Sequence, residues 1–284
     1  MSIVVPATSG NLGRLIVEDL LDRRVPATDI VAGARKPDAI ADLAADGVQT
    51  VRIDYDDPAT VEAVVGTGDT FVLVSGNDLV NRDRQHANTI AAAGRAGAAH
   101  VVYTSGLKAS ESPSPIAASH APTEDAVRAS GLPFTILRNG WYTENYARDL
   151  PAVRTSGVLL ASVGEGRVAS ASRRDFAQAV GAVVTSEGHL GATYELSGDV
   201  AWSYQDLAAA FSEVLGCEVT YRAVTPEQHL EVLKDAGVPE QFAAMAVAVD
   251  AGIRDGAFAF TNGDLARLLG RPTTPLVEGL RPLA

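Results

Sequence analysis

The sequence predicts an α/β protein: a Rossmann-like, doubly wound parallel sheet with a smaller C-terminal α/β cap lobe. Three observations predict it. The chain opens on an apolar run of strand length, Ile3-Val4-Val5, which breaks at Pro6 and passes through small residues into a helical pattern at Leu12, Leu15, Ile16 and Leu20. Further strand-then-helix units follow in alternation, the pattern that builds parallel sheets with ligands at the carboxyl ends of their strands. At 284 residues the chain is long enough for one large α/β domain, or for a main domain with a smaller lobe.

The first turn, Ala7-Thr8-Ser9-Gly10-Asn11-Leu12-Gly13, places Gly10 and Gly13 where a backbone must approach a ligand closely. Such a turn aims the first N–H groups of a helix, and the positive end of its dipole, at an anion. A dinucleotide pyrophosphate is the usual one. Ala7 stands where G-x-x-G-x-x-G has its first glycine, and small residues here also serve plain helix-on-strand packing. Residues 30–35 read as a buried second strand ending in Arg35-Lys36-Pro37. In dinucleotide folds that strand end meets the adenosine ribose, where an acid suits the 2′-hydroxyl and an arginine a 2′-phosphate. With no carboxylate before Asp38, the pair points to NADP(H), against the alternative of a solvated surface pair.

A short helix over 40–45 leads to a third strand over 47–54. Asp54 either accepts from the adenine amino group or opens the Asp56-Asp57-Pro58 turn, with Asp57 capping the next helix and Pro58 in its first position. Residues 70–74 form the clearest buried strand and end in Ser75-Gly76-Asn77, a small polar loop suited to lying along a cofactor. A helix over 84–96 stops near Gly97 and feeds a strand over 100–105. Ser9, Arg35, Ser75 and Ser105, all at strand ends, then become neighbours in space.

Residues 106–119 are rich in Ser, Pro and Ala and read as a loop over the site. A helix follows with Pro122-Thr123-Glu124-Asp125 in its first turn. The strand over 134–138 breaks at Asn139-Gly140 and opens the cluster Trp141-Tyr142-Thr143-Glu144-Asn145-Tyr146, which reads as a pocket wall. Beyond Pro151, residues 158–161 and 167–170 flank Gly164-Glu165-Gly166 as a hairpin, 176–185 is helical, and 194–197 and 218–221 are strands. Residues 1–150 read as the dinucleotide-binding core and 151–284 as a lobe covering the substrate, with some segments returning to the core.

The net charge of −12 repels nucleic acid and anionic membrane surfaces but leaves room for one basic pocket. Cys217 is the only cysteine, so it forms neither an intrachain disulfide nor a thiolate cluster, and it reads as a small semi-buried hydrophobe. The five histidines are scattered without metal-ligand spacing, so no metal is expected. The N-terminus opens straight into a strand, no apolar run is long enough to cross a membrane, and a cytoplasmic protein is expected. Hydrolase and phosphoryl-transfer motifs are missing too, with neither G-x-S-x-G nor G-x-x-x-x-G-K-[ST] present.

A ketone reductase of the ordinary short-chain type needs a tyrosine acid tuned by a lysine four residues on. Here Tyr103 is followed by Leu107 and Tyr142 by Tyr146. Hydride transfer to a ketone leaves an alkoxide that a positioned acid must protonate. A quinone instead yields a delocalised phenolate that takes its proton from water. Cofactor contacts without a dedicated acid therefore suit a quinone, and no catalytic residue is assigned.

The first turn, Ala32-Gly-Ala-Arg35, Tyr103-Thr-Ser105, Leu137-Arg-Asn-Gly-Trp-Tyr-Thr-Glu-Asn-Tyr146 and Gly270-Arg-Pro-Thr-Thr274 together resemble the NmrA-like branch of the atypical short-chain dehydrogenases, nearly end to end. The resemblance implies NADPH as cofactor, with pyrophosphate contacts from Ala7, Thr8, Ser9, Gly10, Asn11 and Leu12 and a 2′-phosphate contact at Arg35. It implies that Ser75, Gly76 and Asn77 lie along the cofactor. Asn139, Gly140, Trp141, Tyr142, Thr143 and Glu144 would line its nicotinamide half, and Arg173 would add a polar contact. His120 and Tyr142 would wall a quinone pocket, though His120 also fits a solvent-exposed helix start. The implied activity is hydride transfer from NADPH to quinones. The alternatives are a non-catalytic NADP(H) redox sensor acting on a protein partner, and a reductase of other electron-poor acceptors. A homo-oligomer is left open. Ala7, Gly76-Asn77 and Gly106 depart from the family pattern.

Overall fold

The computed structural model describes residues 1–112 and 115–284. In chain order the elements are β1 (Ile3–Val5), α1 (Asn11–Asp22), β2 (Ile30–Ala34), α2 (Ala41–Ala45), β3 (Gln49–Arg52), α3 (Ala59–Glu62), β4 (Thr70–Leu73), α4 (Arg82–Ala96) and β5 (His100–Gly106). Then come α5 (Pro115–Ala118), α6 (Ala121–Ala129), β6 (Phe134–Asn139), α7 (Leu150–Ser156), β7 (Val158–Ala161), β8 (Arg167–Val168), α8 (Arg173–Thr185) and β9 (Thr193–Leu196). The last stretch holds β10 (Trp202–Ser203), α9 (Tyr204–Leu215), β11 (Thr220–Ala223), α10 (Pro226–Asp235), α11 (Glu240–Arg254), α12 (Asp264–Leu269) and α13 (Leu276–Leu280).

Among the described residues, seven parallel strands form the main sheet in the order β3-β2-β1-β4-β5-β6-β9. Side chains of a strand alternate between its faces, so apolar runs buried on both sides make a sheet with two cores. Ile3, Val5 and Val72 pack with Ile16 and Leu20 of α1 and Phe176 and Val180 of α8. Val4, Phe71 and Leu73 pack on the opposite face with Ile90 of α4 and Val127 of α6. A third core, with Leu159, Trp202, Phe211 and Ile253, belongs to the elements outside the sheet. Strand order reverses between β1 and β4. That reversal parts the flanking loops and opens a crevice at the strand carboxyl ends, where ligands of open α/β sheets bind.

Four expectations need correction. Asp57 does not cap α3: its carboxylate accepts from Arg52 at 3.0 Å, and the helix start has no side-chain cap. Residues 158–170 do not form a hairpin. Instead β7 pairs in parallel with β11, and β8 pairs antiparallel with β10. After β7, the Ser162 amide and hydroxyl both donate to Asp250 of α11, at 2.7 and 2.9 Å. Gly166 lies so close to the Ile253 backbone that a Cβ would meet its carbonyl oxygen at 2.5 Å. The chain is therefore drawn across α11 rather than back along β7. Within the expected 106–119 loop, residues 115–118 form the helical turn α5, while Pro113 and Ser114 lie outside the described residues. Cys217 is exposed, because the left-handed Gly216 ends α9 and turns the chain so that Val219 takes the buried place.

Candidate functional site

A cleft of about 800 Å3 runs along the carboxyl ends of β1, β2, β4, β5 and β6. Its first wall is the turn after β1. Ala7 holds a left-handed φ of 55°, and its carbonyl accepts from the Gly10 amide at 2.9 Å. A Cβ on Gly13 would sit 2.5 Å from that same oxygen, so α1 approaches the turn as closely as only glycine permits. No side chain caps α1, its first turn carries no acid, and Ser9, Gly10, Asn11, Leu12 and Gly13 all line the cleft. The first amides of a helix have no partner within it, so this end presents N–H groups and positive potential to whatever occupies the cleft.

Arg35, at the end of β2, lines the same cleft and makes no hydrogen bond or ion pair among the described residues. Its acidic neighbours are already engaged. Asp54 and Asp57 accept from Arg52, and Asp56 accepts from Arg84 and Gln85, which hold its carboxyl below the usual carboxylate range with Arg35 contributing. A guanidinium is thus left over at the place where an adenosine phosphate would lie.

After β4, Ser75, Gly76 and Asn77 line the cleft, and two braces fix the first two. The Ser75 amide donates to the Thr104 hydroxyl at 3.0 Å, and the Gly76 amide donates to Nε2 of His86 at 3.1 Å. Because that nitrogen accepts, Nδ1 of His86 carries the proton and donates to the Thr123 hydroxyl at 3.0 Å. Burial, with the Arg82 charge adding to it, takes the His86 pKa down to about 3.

The far end is built by β5, β6 and the segments after them. Tyr103 of β5 is fully buried and shares a 2.7 Å hydrogen bond with Nδ1 of His120, and burial pushes its phenol up. His120 lines the cleft and is 8% exposed, which places it in the wall rather than in solvent; burial and then Arg82 bring it down to about 3. Behind this wall, Arg138 donates to both oxygens of Glu124 at 2.8 and 2.7 Å and to Glu195 at 2.6 Å. Burial works against ionisation of Glu124, but its bonds from Arg138, Ser105 and Arg128 outweigh that and hold it below its ordinary value. Glu195 in turn accepts the amide of Lys108, a residue at φ 51°, and so fixes the turn after β5.

The 139–146 cluster divides. Asn139, Gly140, Trp141, Tyr142 and Asn145 line the cleft, and the buried Oδ1 of Asn139 has no partner among the described residues. Thr143 and Glu144 do not line it. Thr143 is buried with its hydroxyl 2.8 Å from that of Ser170, and Glu144 accepts the amide of Arg173 at the start of α8. Thr8 likewise lies behind the turn, its hydroxyl donating to the Val5 carbonyl. Arg173 lines the cleft with its guanidinium 4.9 Å over the Tyr142 ring and a 3.1 Å bond to Asn145.

Sequence reasoning missed Arg82, Gln85 and Phe258, which also line the cleft. Arg82, Gln85, His86 and Thr89 are buried along one face of α4, and a polar stripe at helical spacing was the signal that could have found the first two. The residues fit a phosphorylated dinucleotide: among the described residues, a bare helix start, a close-packed glycine turn, a guanidinium without a partner and an amide oxygen without a partner share one cleft. Among the described residues, no group of three His, Cys, Asp or Glu could hold a metal, and no helix is long and apolar enough to cross a membrane.

Residues 8–187 match the family model described as NAD(P)H-binding. The chain is 37% identical over 281 residues to quinone oxidoreductase 2 of Escherichia coli (strain K12), covering 99% of this chain and 98% of that protein. The crystal structure of the E. coli NADPH-dependent quinone oxidoreductase complexed with NADPH superposes with a TM-score of 0.93, covering 99% of both chains. That of the Citrobacter sp. triphenylmethane reductase complexed with NADP(H) superposes at 0.94, with 36% identity over the whole of both chains.

Proposed function

The chain belongs to the NAD(P)H-binding family, in its NmrA-like branch, and from that membership we propose that it is a cytoplasmic oxidoreductase passing hydride from NADPH to quinones. The observation that carries the reading is the single cleft that joins the uncapped start of α1 and the unpaired Arg35 to an acceptor end without a tyrosine–lysine pair. The amides of Asn11 and Leu12 hold the diphosphate, Arg35 meets the 2′-phosphate, and the 75–77 loop and Asn139 flank the rest of the coenzyme. Bound there, NADPH supplies the hydride. The protein's residues orient the reactants: His86 pins the Gly76 amide, Tyr142 and Arg173 stack beside the cleft, and residues 158–284 furnish Phe258 as part of its cover.

Tyr103 does not act as the acid, since it is buried behind His120 with its phenol pushed up, and His120 is neutral at physiological pH. A product phenolate that water can protonate is compatible with such a site, whereas an alkoxide is not. A second reading, reduction of other electron-poor aromatic acceptors, is favoured by the likeness to the triphenylmethane reductase. The purified protein is expected to consume NADPH when 1,4-benzoquinone is added, followed by loss of the coenzyme's near-ultraviolet absorbance. Absence of turnover with benzoquinones and naphthoquinones while NADPH still binds would reject the quinone reading, and a triphenylmethane dye in the same assay tests the second.

A further inference from the structure

Arg82 opens α4 and is 3% exposed, yet its guanidinium meets only neutral oxygens. Nη2 donates to the Ser119 carbonyl at 2.7 Å and to the Ser119 hydroxyl, and the buried Nε has no partner among the described residues. The other deeply buried arginine, Arg138, is clamped between Glu124 and Glu195. A buried ion without a counter-ion is costly to the fold, and a residue kept so points to a negative charge arriving from outside the protein. Arg82 lines the cleft, and its guanidinium is held by Ser119, the residue before His120. The Ser119 hydroxyl donates in turn to the Ile116 carbonyl, and Ile116 and His120 both line the cleft, with the His120 imidazole within the field of Arg82. Both nearby imidazoles are neutral at physiological pH, so the positive charge on the His120 side of the cleft is that of Arg82.

We propose that Arg82 is the oxyanion-binding residue of the acceptor site, stabilising the negative charge that develops on the acceptor as it takes up hydride. The inference rests on the quinone-reductase reading. A quinone that accepts hydride from the reduced coenzyme forms one new O–H bond, and the coenzyme loses two electrons. The ring becomes aromatic and the displaced electron pair resides on the opposite oxygen as a phenolate, which water then protonates. A guanidinium beside that oxygen favours the product anion more than the neutral quinone, the difference that lowers a barrier. Arg82 thereby does part of what the absent tyrosine would do, by charge rather than by proton transfer.

The test uses the full chain saturated with oxidised coenzyme and 4-nitrophenol as probe, whose yellow phenolate is read directly. The wild type is expected to bind the phenolate and lower its apparent pKa by about one unit, a tenfold preference for the anion. Arg82→Met should abolish that shift and Arg82→Lys should retain part of it. With NADPH and benzoquinone, Arg82→Met should lose about a hundredfold in kcat while its Kd for NADPH stays within about twofold. Near-ultraviolet circular dichroism checks that both variants are folded, and Arg82→Lys carries the test should the Met variant not fold. An unchanged phenolate shift in a folded variant would overturn the proposal. A tenfold loss of NADPH affinity with unaltered acceptor kinetics would do so too, by assigning the guanidinium to a coenzyme phosphate. A phenolate shift lost with Arg82 in a protein that reduces no quinone would leave the anion site standing and sink the quinone reading instead.

Discussion

At the scale of single residues, the coenzyme preference turns on one guanidinium. Arg35 is exposed, and no carboxylate must release it before it meets a phosphate. Charge-assisted hydrogen bonds contribute about 1.5–3 kcal/mol, with the lower part of that range fitting a solvated site. Arg35→Ala should therefore raise KM for NADPH about tenfold and leave KM for NADH within about twofold, removing most of the preference. Steady-state kinetics with the two coenzymes checks this, and an equal loss for both would place Arg35 elsewhere than against the 2′-phosphate. The residue was legible in the sequence because a strand end is a fixed address in a parallel sheet, and chemistry at a fixed address can be read from one letter. Arg82 was not legible in that way. A helix start has no fixed address until tertiary packing chooses which face is buried.

At the scale of elements, the turn between β1 and α1 sets both the fold and the anion site. Gly13 sits where a Cβ would meet the Ala7 carbonyl oxygen at 2.5 Å and Thr8 Cα at 3.0 Å, all backbone, so nothing flexible can yield. Gly13→Ala must push α1 away from the turn, parting Leu12 and Ile16 from the sheet and tilting the amides that face the cleft. Overpacking of this kind costs about 1–3 kcal/mol. The variant should melt several degrees lower and bind NADPH at least tenfold more weakly, measured by calorimetry. Wild-type affinity in Gly13→Ala would show that the α1 start does not hold the diphosphate. The same element shows why parts of the chain were readable. The inner strands β1, β2 and β4 are buried on both faces and stand out as runs, and the glycine turn is forced by local geometry. Residues 158–170 have equally good strand character, but two partners distant in sequence, β11 and β10, compete for them. Asp250 and Ile253 of α11 decide the outcome, and no local pattern announces them. Asp57 failed as a cap for a like reason, because Arg52 across the turn offers its carboxylate an ion pair.

At the scale of the whole molecule, the site and the stability share a pair of titrating groups. His86 and His120 flank Tyr103 between α4 and α6, with ring centroids 5.8 and 6.0 Å from it, and both are held to about 3 by burial first and then by Arg82. The unfolded chain titrates each near 6.5. Between those values the unfolded state binds protons that the folded state refuses, so stability falls as pH falls through 6.5, and it is complete above that value. From pH 7.5 to 5.5 the two groups together remove about 2.5 kcal/mol by that linkage, enough to lower the melting temperature of a protein of this size by roughly 5–10 °C. The folded protein keeps His86 neutral down to about pH 3, so the acceptor of the Gly76 amide persists across this range. Melting temperature is therefore expected to decline below pH 6.5 while the Gly76 loop of the folded protein keeps its brace. His86→Gln, whose side-chain oxygen accepts without titrating, should flatten about half of the melting-temperature decline. Scanning calorimetry at half-unit steps of pH decides the matter, and a melting temperature that stays level from pH 7.5 to 5.5 in the wild type would mean that neither imidazole is held neutral by its burial.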